Sequence, residues 1–582
     1  MTQQGYLTRQ TVVVTGNRIR EVRPFRTSDL TIRGNVIDAR GQVLMPGLVD
    51  MHVHFAPFVG EAGDPAQRAA AVMLAHGVTT ARSMAGAPEH LLLRERITSG
   101  ALPGPRIYAG SIALSDKNLS SQDDARKMVS EIETSGYDFI KSHFISGAAL
   151  WEAVKDDADD HGLATAGHVA NAVGLERAMR RKQQIEHLDG FIQALLPPGA
   201  PEREIEFGQI PPPPILAAID RDRMSDAAIF DLAARENSYQ VPTLSLFEKL
   251  LDRALGSDDL KKLPEMAFVG DDAIGQWEQQ RAQLQSQVPA NHAADLLTLR
   301  REIVRQLDAR GVPIMAGSDT AQAFHVWGPA LHAEIRALAG IIGAERALGA
   351  ATSVPAAYFR SLPNQGSATG QAADFGTIEE GMRADLLLLS ANPLEDLRAL
   401  AQPIAVMADG RLYTRAELDR MLADASRIAK RREYRSEKSS FSMIVARHFE
   451  AEEGGERNLN ATGHMQARQL AEALAGRGIT AIYVTDTARA RQSAAPLAAL
   501  RGLRMQTYDP GRPDLLLEKI IQEGSSALVI AHSNTAPQIA EMAGVPSADA
   551  VSLARFGTVL AISEDGFEAV PLYGRMEASD PN

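Results

Sequence analysis

Residues 44–55 read "LMPGLVDMHVHF", an apolar run that ends in two histidines, His52 and His54, one residue apart. The run has the make-up of a strand, in which side chains alternate between faces with a period of two. His52 and His54 therefore point the same way, together with Asp50. A strand end that presents two imidazole nitrogens side by side suits a metal ion. The pair alone is a weak signal, because a His-x-His in a strand is more often structural than ligating. The remaining ligands have to come from elsewhere in the chain.

Seven more strand-like segments follow: "GVTTARSM" (77–84), "PRIYAGSIAL" (105–114), "YDFIKSHF" (137–144), "ATAGHVAN" (164–171), "QQIEHLDG" (183–190), "QVPTLSLF" (240–247) and "VPIMAGSD" (312–319). Helical stretches such as "DPAQRAAAVMLAHG" and "GAALWEAVKDDADDHG" lie between them. Eight strands alternating with helices over residues 46–354 is the count of a (β/α)8 barrel. In that fold the chemistry sits at the C-terminal strand ends. Those ends carry His52, His54, Lys141, His168, His187 and Asp319. Singly, each has a structural reading: Lys141 as a salt-bridge partner, His168 bonded to backbone, His187 paired with Glu186 at the surface, Asp319 as an Asx turn or helix cap. Six in this order at one rim point to a metal site.

The bulk composition narrows the chemistry. A chain of 582 residues exceeds one ordinary core, so two to four domains are expected. Hydrophobic residues at 45% and charged residues at 23% are ordinary globular values. The net charge of −13 argues against nucleic acid or an anionic membrane as a general partner, and no apolar run is long enough to span a bilayer. With no cysteine, thiolate metal sites, disulfides and cysteine nucleophiles are excluded. Any metal must be held by His, Asp, Glu or a modified Lys. The first residues lack the apolar core of a signal peptide and enter a hairpin at "TVVVTGNRIREVRP". As written the chain reads as cytoplasmic; one from which a leader had been removed would read the same and would be periplasmic.

Flanking the barrel, residues 1–45 and 355–425 read as short strands with glycine turns, a composite β-sandwich. Residues 248–298, long and charged, read as helices inserted after the seventh strand. Residues 426–440 are basic and poor in apolar side chains, the end of a helix running into a linker. Alternation resumes from 441 to 582 as a separate α/β domain, with helices at 464–476, 488–500 and 535–543. There is no internal repeat. A second set of strand ends appears here: Arg447 and His448 close "FSMIVARHFE", Arg489 follows in "TDTARARQSAAPLA", and His532 ends "LVIAHSNT". Neutral histidine is a nucleophile, and guanidinium forks grip phosphate oxygens.

Residues 1–425 resemble the amidohydrolase superfamily, through "PGLVDMHVHF", "FIKSH", "AGHV", "IEHLDG", "AGSDT" and the return "GTIEEGMRADLLLL". The resemblance implies two divalent metal ions, usually zinc, bridged by an N6-carboxylysine at Lys141. It assigns His52 and His54 to the more buried ion with Asp319, and His168 and His187 to the exposed one. It also implies attack by a metal-bound hydroxide, with Asp319 passing the proton to the leaving amine. Nineteen residues separate His168 from His187. That spacing, with "GVTTARSM" and "VPTLSLF", is similar to the prolidase-like and Xaa-Arg/Lys carboxypeptidase branch, which cleaves dipeptides and N-acyl amino acids. Relatives often carry Arg-Asp where this chain has Arg82-Ser83. Arg82, His143 and His325 are expected as substrate contacts, although His143 and His325 also read as rim histidines without a role.

Residues 441–575 resemble the histidine phosphatase superfamily. The resemblance makes His448 the phosphorylated nucleophile, Arg447 and Arg489 the phosphoryl-binding pair, His532 the second pocket histidine and Glu450 a proton donor. Phe449 stands where relatives carry Gly or Ala and is expected to narrow the pocket. The expected protein is a bifunctional hydrolase, acting on a small amide or peptide and on a phosphorylated substrate, without nucleic acid or membrane and with an oligomer allowed. The alternative is a cyclic amidohydrolase or deaminase whose C-terminal domain only binds a phospholigand.

Overall fold

The computed structural model describes residues 6–31, 34–55, 65–205, 208–429, 442–452, 458–475, 477–563 and 566–570. They form two compact units of mixed α/β content, divided between Arg427 and Ile428.

In the first unit, Leu48–Val53, Val78–Ser83 and Arg106–Ala109 pair in parallel as one sheet. Phe139–Ser142, Ala164–Gly167, Gln184–Glu186 and Gln240–Val241 pair in parallel as a second. Parallel bridges Gly110–Phe139 and Leu114–Ser142 join the two. The segment expected as the eighth strand bridges Gln240 through Ile314 and Val53 through Thr320. Leu48, Val49, Met51 and Val53 are all fully buried, as strands covered on both faces require.

The expected strand 240–247 is corrected. It stops at Val241, and a helix Leu244–Leu251 takes over. Pro242 offers no N–H to the ladder, Thr243 adopts a left-handed backbone at φ 50, and the buried Glu334 carboxylate accepts from the N–H groups of Leu244 and Ser245 at 3.0 and 2.7 Å. The long insertion is helical as expected, with Asp271–Gln287 and Ala290–Ala309 its longest members. The hairpin forms at Gln10–Thr15 and Arg18–Pro24. A four-stranded antiparallel sheet brings Val43–Pro46 against Leu386–Leu389, Ala405–Ala408 and Arg411–Thr414. The expectation of short strands throughout 355–425 is corrected at both ends, where helices Ser353–Ser361 and Arg415–Ala429 lie. The rest of the expected linker falls outside the described residues.

The second unit is one six-stranded sheet in the order Met505–Thr507, Ala481–Val484, Ser526–Ala531, Ser442–Arg447, Val559–Ser563, Gly566–Ala569. The first four are parallel and the last two antiparallel additions. Helices Ala461–Leu474, Ala488–Arg501 and Thr535–Met542 lie within three residues of the expected ranges. Because Ser442–Arg447 and Ser526–Ala531 are neighbours, their C-terminal ends, Arg447–His448 and His532, come out side by side.

Candidate metal centre and phosphate pocket

In the first unit the ends of strands far apart in sequence converge. One ligand atom each from His52, His187 and Asp319 lies within 4.8 Å of the others. His54 joins them: its Nε2 stands 3.2 Å from His52 Nε2 and 2.9 Å from Asp319 Oδ1. His168 stacks on His187 with ring centroids 4.9 Å apart. Lys141 is buried, and its Nζ has no hydrogen-bond partner. The six expected residues therefore gather at one place. One detail differs from the expected grouping: His187, assigned to the second ion, stands with His52 and Asp319.

Two glycines allow this approach. A Cβ on Gly317 would sit 2.9 Å from His52 Cβ and 2.5 Å from Val241, so only glycine lets "AGSD" press against the first strand. Gly167 has φ +138, and a Cβ there would lie 1.9 Å from the Ser142 carbonyl oxygen. This closeness sets the Lys141 strand beside His168.

Each buried imidazole is held through its other nitrogen. His52 Nδ1 meets Glu186 Oε2 at 2.7 Å, His168 Nδ1 meets Asp189 Oδ2 at 2.8 Å, and His187 Nδ1 meets Thr243 Oγ1 at 2.8 Å. Such partners fix the tautomer and orient a ligand nitrogen. Asp50, on the histidine face of its strand, accepts from the Ser318 N–H at 2.9 Å and from its Oγ at 2.6 Å, which anchors the turn leading into Asp319. Burial pushes the Asp50 carboxyl up to about 7.

Electrostatics favour a ligand set in its binding forms. Burial lowers His52 to about 4, against the opposing pull of Asp319 and Glu186. It lowers His187 well below the ordinary histidine range. Burial also lowers Lys141, so its amine tends towards the neutral, nucleophilic form. Asp319 would be raised by burial, but His52, His54 and His187 outweigh that and hold it well below the usual carboxylate range. Neutral imidazoles, an ionised carboxylate and an unpartnered buried lysine fit divalent cations held without sulfur.

The three expected substrate contacts separate. His143 lies beside the cluster, 4.9 Å from the His168 ring. His325 is fully buried; its Nδ1 donates to the Ser318 carbonyl at 2.9 Å, and its Nε2 has no partner. Arg82 is 1% exposed; its Nε donates to the Met51 carbonyl at 2.7 Å, NH2 is 2.5 Å from Glu186, and NH1 has no hydrogen-bond partner. It supports the carboxylate that holds His52.

Sequence reading missed Glu186, Asp189 and Thr243. Strand alternation would send Glu186 and His187 to opposite faces. His187 has φ 57, however, which turns the chain so that consecutive side chains both reach His52. The available signal was the pair of carboxylates at positions −1 and +2 of His187.

In the second unit, His448 and His532 stand with ring centroids 5.3 Å apart. His448 Nδ1 lies 2.9 Å from the Phe449 carbonyl, a bond only an Nδ1–H tautomer makes, so Nε2 keeps its lone pair. Burial lowers His448 to about 4, helped by Arg489 and His532, although the Phe449 bond opposes the shift. Arg447 donates to the Ala554 carbonyl at 2.6 Å and lies 3.8 Å over the Phe556 ring. The Nε atoms of Arg447 and Arg489 and the Nδ1 of His532 are buried without partners. Among the described residues neither arginine has a carboxylate within 4.0 Å. Two unpaired guanidinium groups around two uncharged imidazoles suit an oxyanion such as phosphate. Glu450 faces Gln466, whose Nε2 donates to Oε1 at 3.4 Å. The expectation for Phe449 is corrected: its ring is fully buried in the core with Ile444, Ala446 and Leu459, and does not narrow the pocket.

Ligand-type side chains thus gather at the ends of parallel strands in the first unit. The amidohydrolase family profile matches residues 43–413, and the chain belongs to that family. Residues 445–510 match the histidine phosphatase superfamily, branch 1. Among solved structures, the bottromycin amidohydrolase is 22% identical with a TM-score of 0.51, covering 72% of this chain and 86% of its own. That likeness supports a shared fold. A Xaa-Pro dipeptidase with bound methionine is 22% identical with a TM-score of 0.49, covering 69% of this chain and 94% of its own. The A. niger ochratoxinase is 16% identical with a TM-score of 0.49, covering 71% and 93%. No curated protein matches the chain. Among the described residues no helix is long and apolar enough to cross a membrane.

Proposed function

We propose that the first unit is a closed (β/α)8 barrel with a flanking sandwich, and that it hydrolyses a peptide-like C–N bond in a dipeptide or N-acyl amino acid. The observation that carries the reading is Lys141: a buried amine without a partner, amid four histidines and Asp319. As a free amine it would strand an unsatisfied polar group. As the N6-carboxy derivative, formed by adding its neutral amine to carbon dioxide with loss of a proton, it becomes an anionic oxygen ligand. His52, His54, His168, His187, Asp319 and carboxylated Lys141 would then hold two divalent ions, zinc by preference. Bound there, such ions supply an activated water and polarise the scissile carbonyl.

The protein's own groups do the rest. Asp319, ionised and at the centre of the cluster, takes the proton of the attacking water and delivers it to the leaving amine. Glu186, Asp189 and Thr243 keep the imidazoles oriented. In the second unit, His448 Nε2 attacks the phosphoryl group as the P–O bond to the ester oxygen breaks and the alcohol or phenol leaves with a proton, and water then hydrolyses the phosphohistidine to inorganic phosphate, while Arg447 and Arg489 bind the phosphoryl oxygens beside His532; this rests on the orphaned nitrogens around His448. A panel of dipeptides, N-acyl amino acids, cyclic imides and aminopurines, run with zinc-reconstituted protein, tests the first activity. Turnover of the rings without turnover of dipeptides or N-acyl amino acids would move the assignment to a cyclic amidohydrolase or deaminase. Hydrolysis of an aryl phosphate, lost in His448→Ala, tests the second; binding without turnover would make that unit a phospholigand sensor.

A further inference from the structure

Phe556 stands beside the phosphate pocket of the second unit, just after the short 3-10 helix Val551–Ala554. It is 41% exposed, against 7% for His448. Its ring centroid lies 5.9 Å from that of His448, with the planes 59° apart. The guanidinium carbon of Arg447 lies over the ring, 3.8 Å from its centroid. A single exposed phenylalanine needs no functional explanation. This one, however, touches both the nucleophile and one of the two arginines proposed to hold the phosphoryl group.

The same segment holds Arg447 in place. Its NH1 donates to the carbonyl of Ala554, two residues before Phe556, and its Nε is left without a partner for an oxyanion. The Nδ1 of His448 is bonded to the Phe449 carbonyl, so Nε2 is the atom that meets phosphorus. In phosphoryl transfer the attacking and leaving atoms lie roughly in line. The leaving group therefore sits on the far side of phosphorus from His448 Nε2. His448 is buried and Phe556 is exposed, so that side is the outer one, where the ring stands. A flat ring joined to phosphorus through one oxygen would meet Phe556 there, since aromatic pairs attract at centroid separations of about 4.5–7 Å.

We propose that Phe556 selects the leaving group of the second unit's substrate, favouring a phosphoryl group carried on a flat aromatic ring over one carried on an aliphatic carbon. The proposal rests on the phosphatase reading of this pocket and deepens it. Arg447 and Arg489 take the phosphoryl oxygens, and Phe556 takes the aromatic carrier. Arg447 links the two tasks: stacked on the ring and tied to Ala554, its guanidinium keeps the grip on phosphate in register with the aromatic platform. A ring that only propped Arg447 would affect every phosphate compound alike. A platform for the leaving group discriminates between carriers.

The test separates this assignment from the phosphatase reading. Calorimetry on the full-length protein compares phenylphosphonate with cyclohexylphosphonate, two rings of similar size whose C–P bond is not hydrolysed. The wild type should bind the phenyl compound about 3- to 10-fold more tightly, the range of an aromatic pair beyond its buried area. Phe556→Leu should shrink that preference to less than about 1.5-fold, and Phe556→Trp should keep it, because tryptophan restores the aromatic face. Inorganic phosphate, which has no carrier, should bind Phe556→Leu within about threefold of the wild type, since only the cation–π support of Arg447 is lost. Circular dichroism checks that each variant is folded. The proposal is overturned if the wild type shows no preference or binds neither phosphonate, or if a folded Phe556→Leu keeps the preference. It is also overturned if Phe556→Leu weakens phosphate and both phosphonates by one common factor, which would make the ring a prop for Arg447. In parallel, the ratio of kcat/KM for phenyl phosphate to that for cyclohexyl phosphate should fall in Phe556→Leu by a similar factor; the intrinsic difference between the two leaving groups cancels in the comparison with wild type. If the phosphonate preference depends on Phe556 but neither ester is hydrolysed, the phosphatase reading fails and the aromatic subsite stands. If both esters are hydrolysed and the phosphonates bind equally, the proposal fails and the phosphatase reading stands.

Discussion

His52 and Glu186 meet at 2.7 Å, with the imidazole 1% and the carboxylate 0% exposed. The bond places the proton on Nδ1 and leaves Nε2 towards His54 and Asp319. Arg82 closes the chain on the far side of Glu186. Burial would raise the Glu186 carboxyl, but His52 and Arg82 lower it, so it stays ionised.

Glu186→Gln should therefore weaken metal retention, because a neutral amide binds His52 less firmly and leaves Arg82 without its counter-charge. Removing such a partner of a metal ligand lowers metal affinity about 10- to 100-fold. A competition titration with a chelator measures this. A thermal melt should show a loss as well, since breaking a buried pair costs about 3–5 kcal/mol. Unchanged metal affinity would reduce the Arg82–Glu186–His52 chain to a packing role.

Lys141→Ala should lose amide hydrolysis, and small carboxylic acids such as formate should restore part of it by occupying the place of the carbamate. Elemental analysis of the wild type should find about two divalent ions per chain, as a two-metal site requires. A single tight ion with an unmodified lysine by mass spectrometry would rule out the bridging role.

The phosphatase-like unit should tolerate acid. His448 is lowered to about 4, so in the free protein it stays neutral from pH 7 down to roughly one unit above that value. Its kcat/KM on an aryl phosphate, corrected for phosphate-monoester ionisation, should be flat to about pH 5 and fall as pH approaches 4, instead of falling through the ordinary histidine value near 6.5. The sign for stability follows: between about 6.5 and 4 the unfolded chain takes up a proton that folded His448 refuses, so this group's contribution is present above 6.5 and is lost on acidification. A fall centred near 6.5 would contradict the depressed histidine.

The two activities should be separable. The chain divides into two compact units between Arg427 and Ile428, and among the described residues each cluster is built from one unit's side chains. A chain cut near residue 435 should leave a folded amide hydrolase, and His448→Ala in the whole protein should leave amide hydrolysis unchanged. An insoluble or inactive 1–435 fragment would show that the halves depend on one another.

The order His52, His54, Lys141, His168, His187, Asp319 was legible in the bare sequence, as was the parallel alternation around it. Both follow from backbone periodicity, a local property: a strand of given length must deliver alternate side chains to one face and its last residues to one rim. Arg447, His448 and His532 were legible for the same reason. What the tertiary structure alone decided is what lies behind each ligand. Glu186 reaches His52 across 134 residues of chain, and Arg300 reaches the His187 carbonyl across 113. The inward turn of His187, the end of the strand at Val241, the burial of Phe449 and the bond of Arg82 to Glu186 likewise depend on neighbours brought in by folding. Local pattern determines which way a side chain leaves the backbone. Which charge it meets there depends on packing between distant segments, and no window of sequence contains that information.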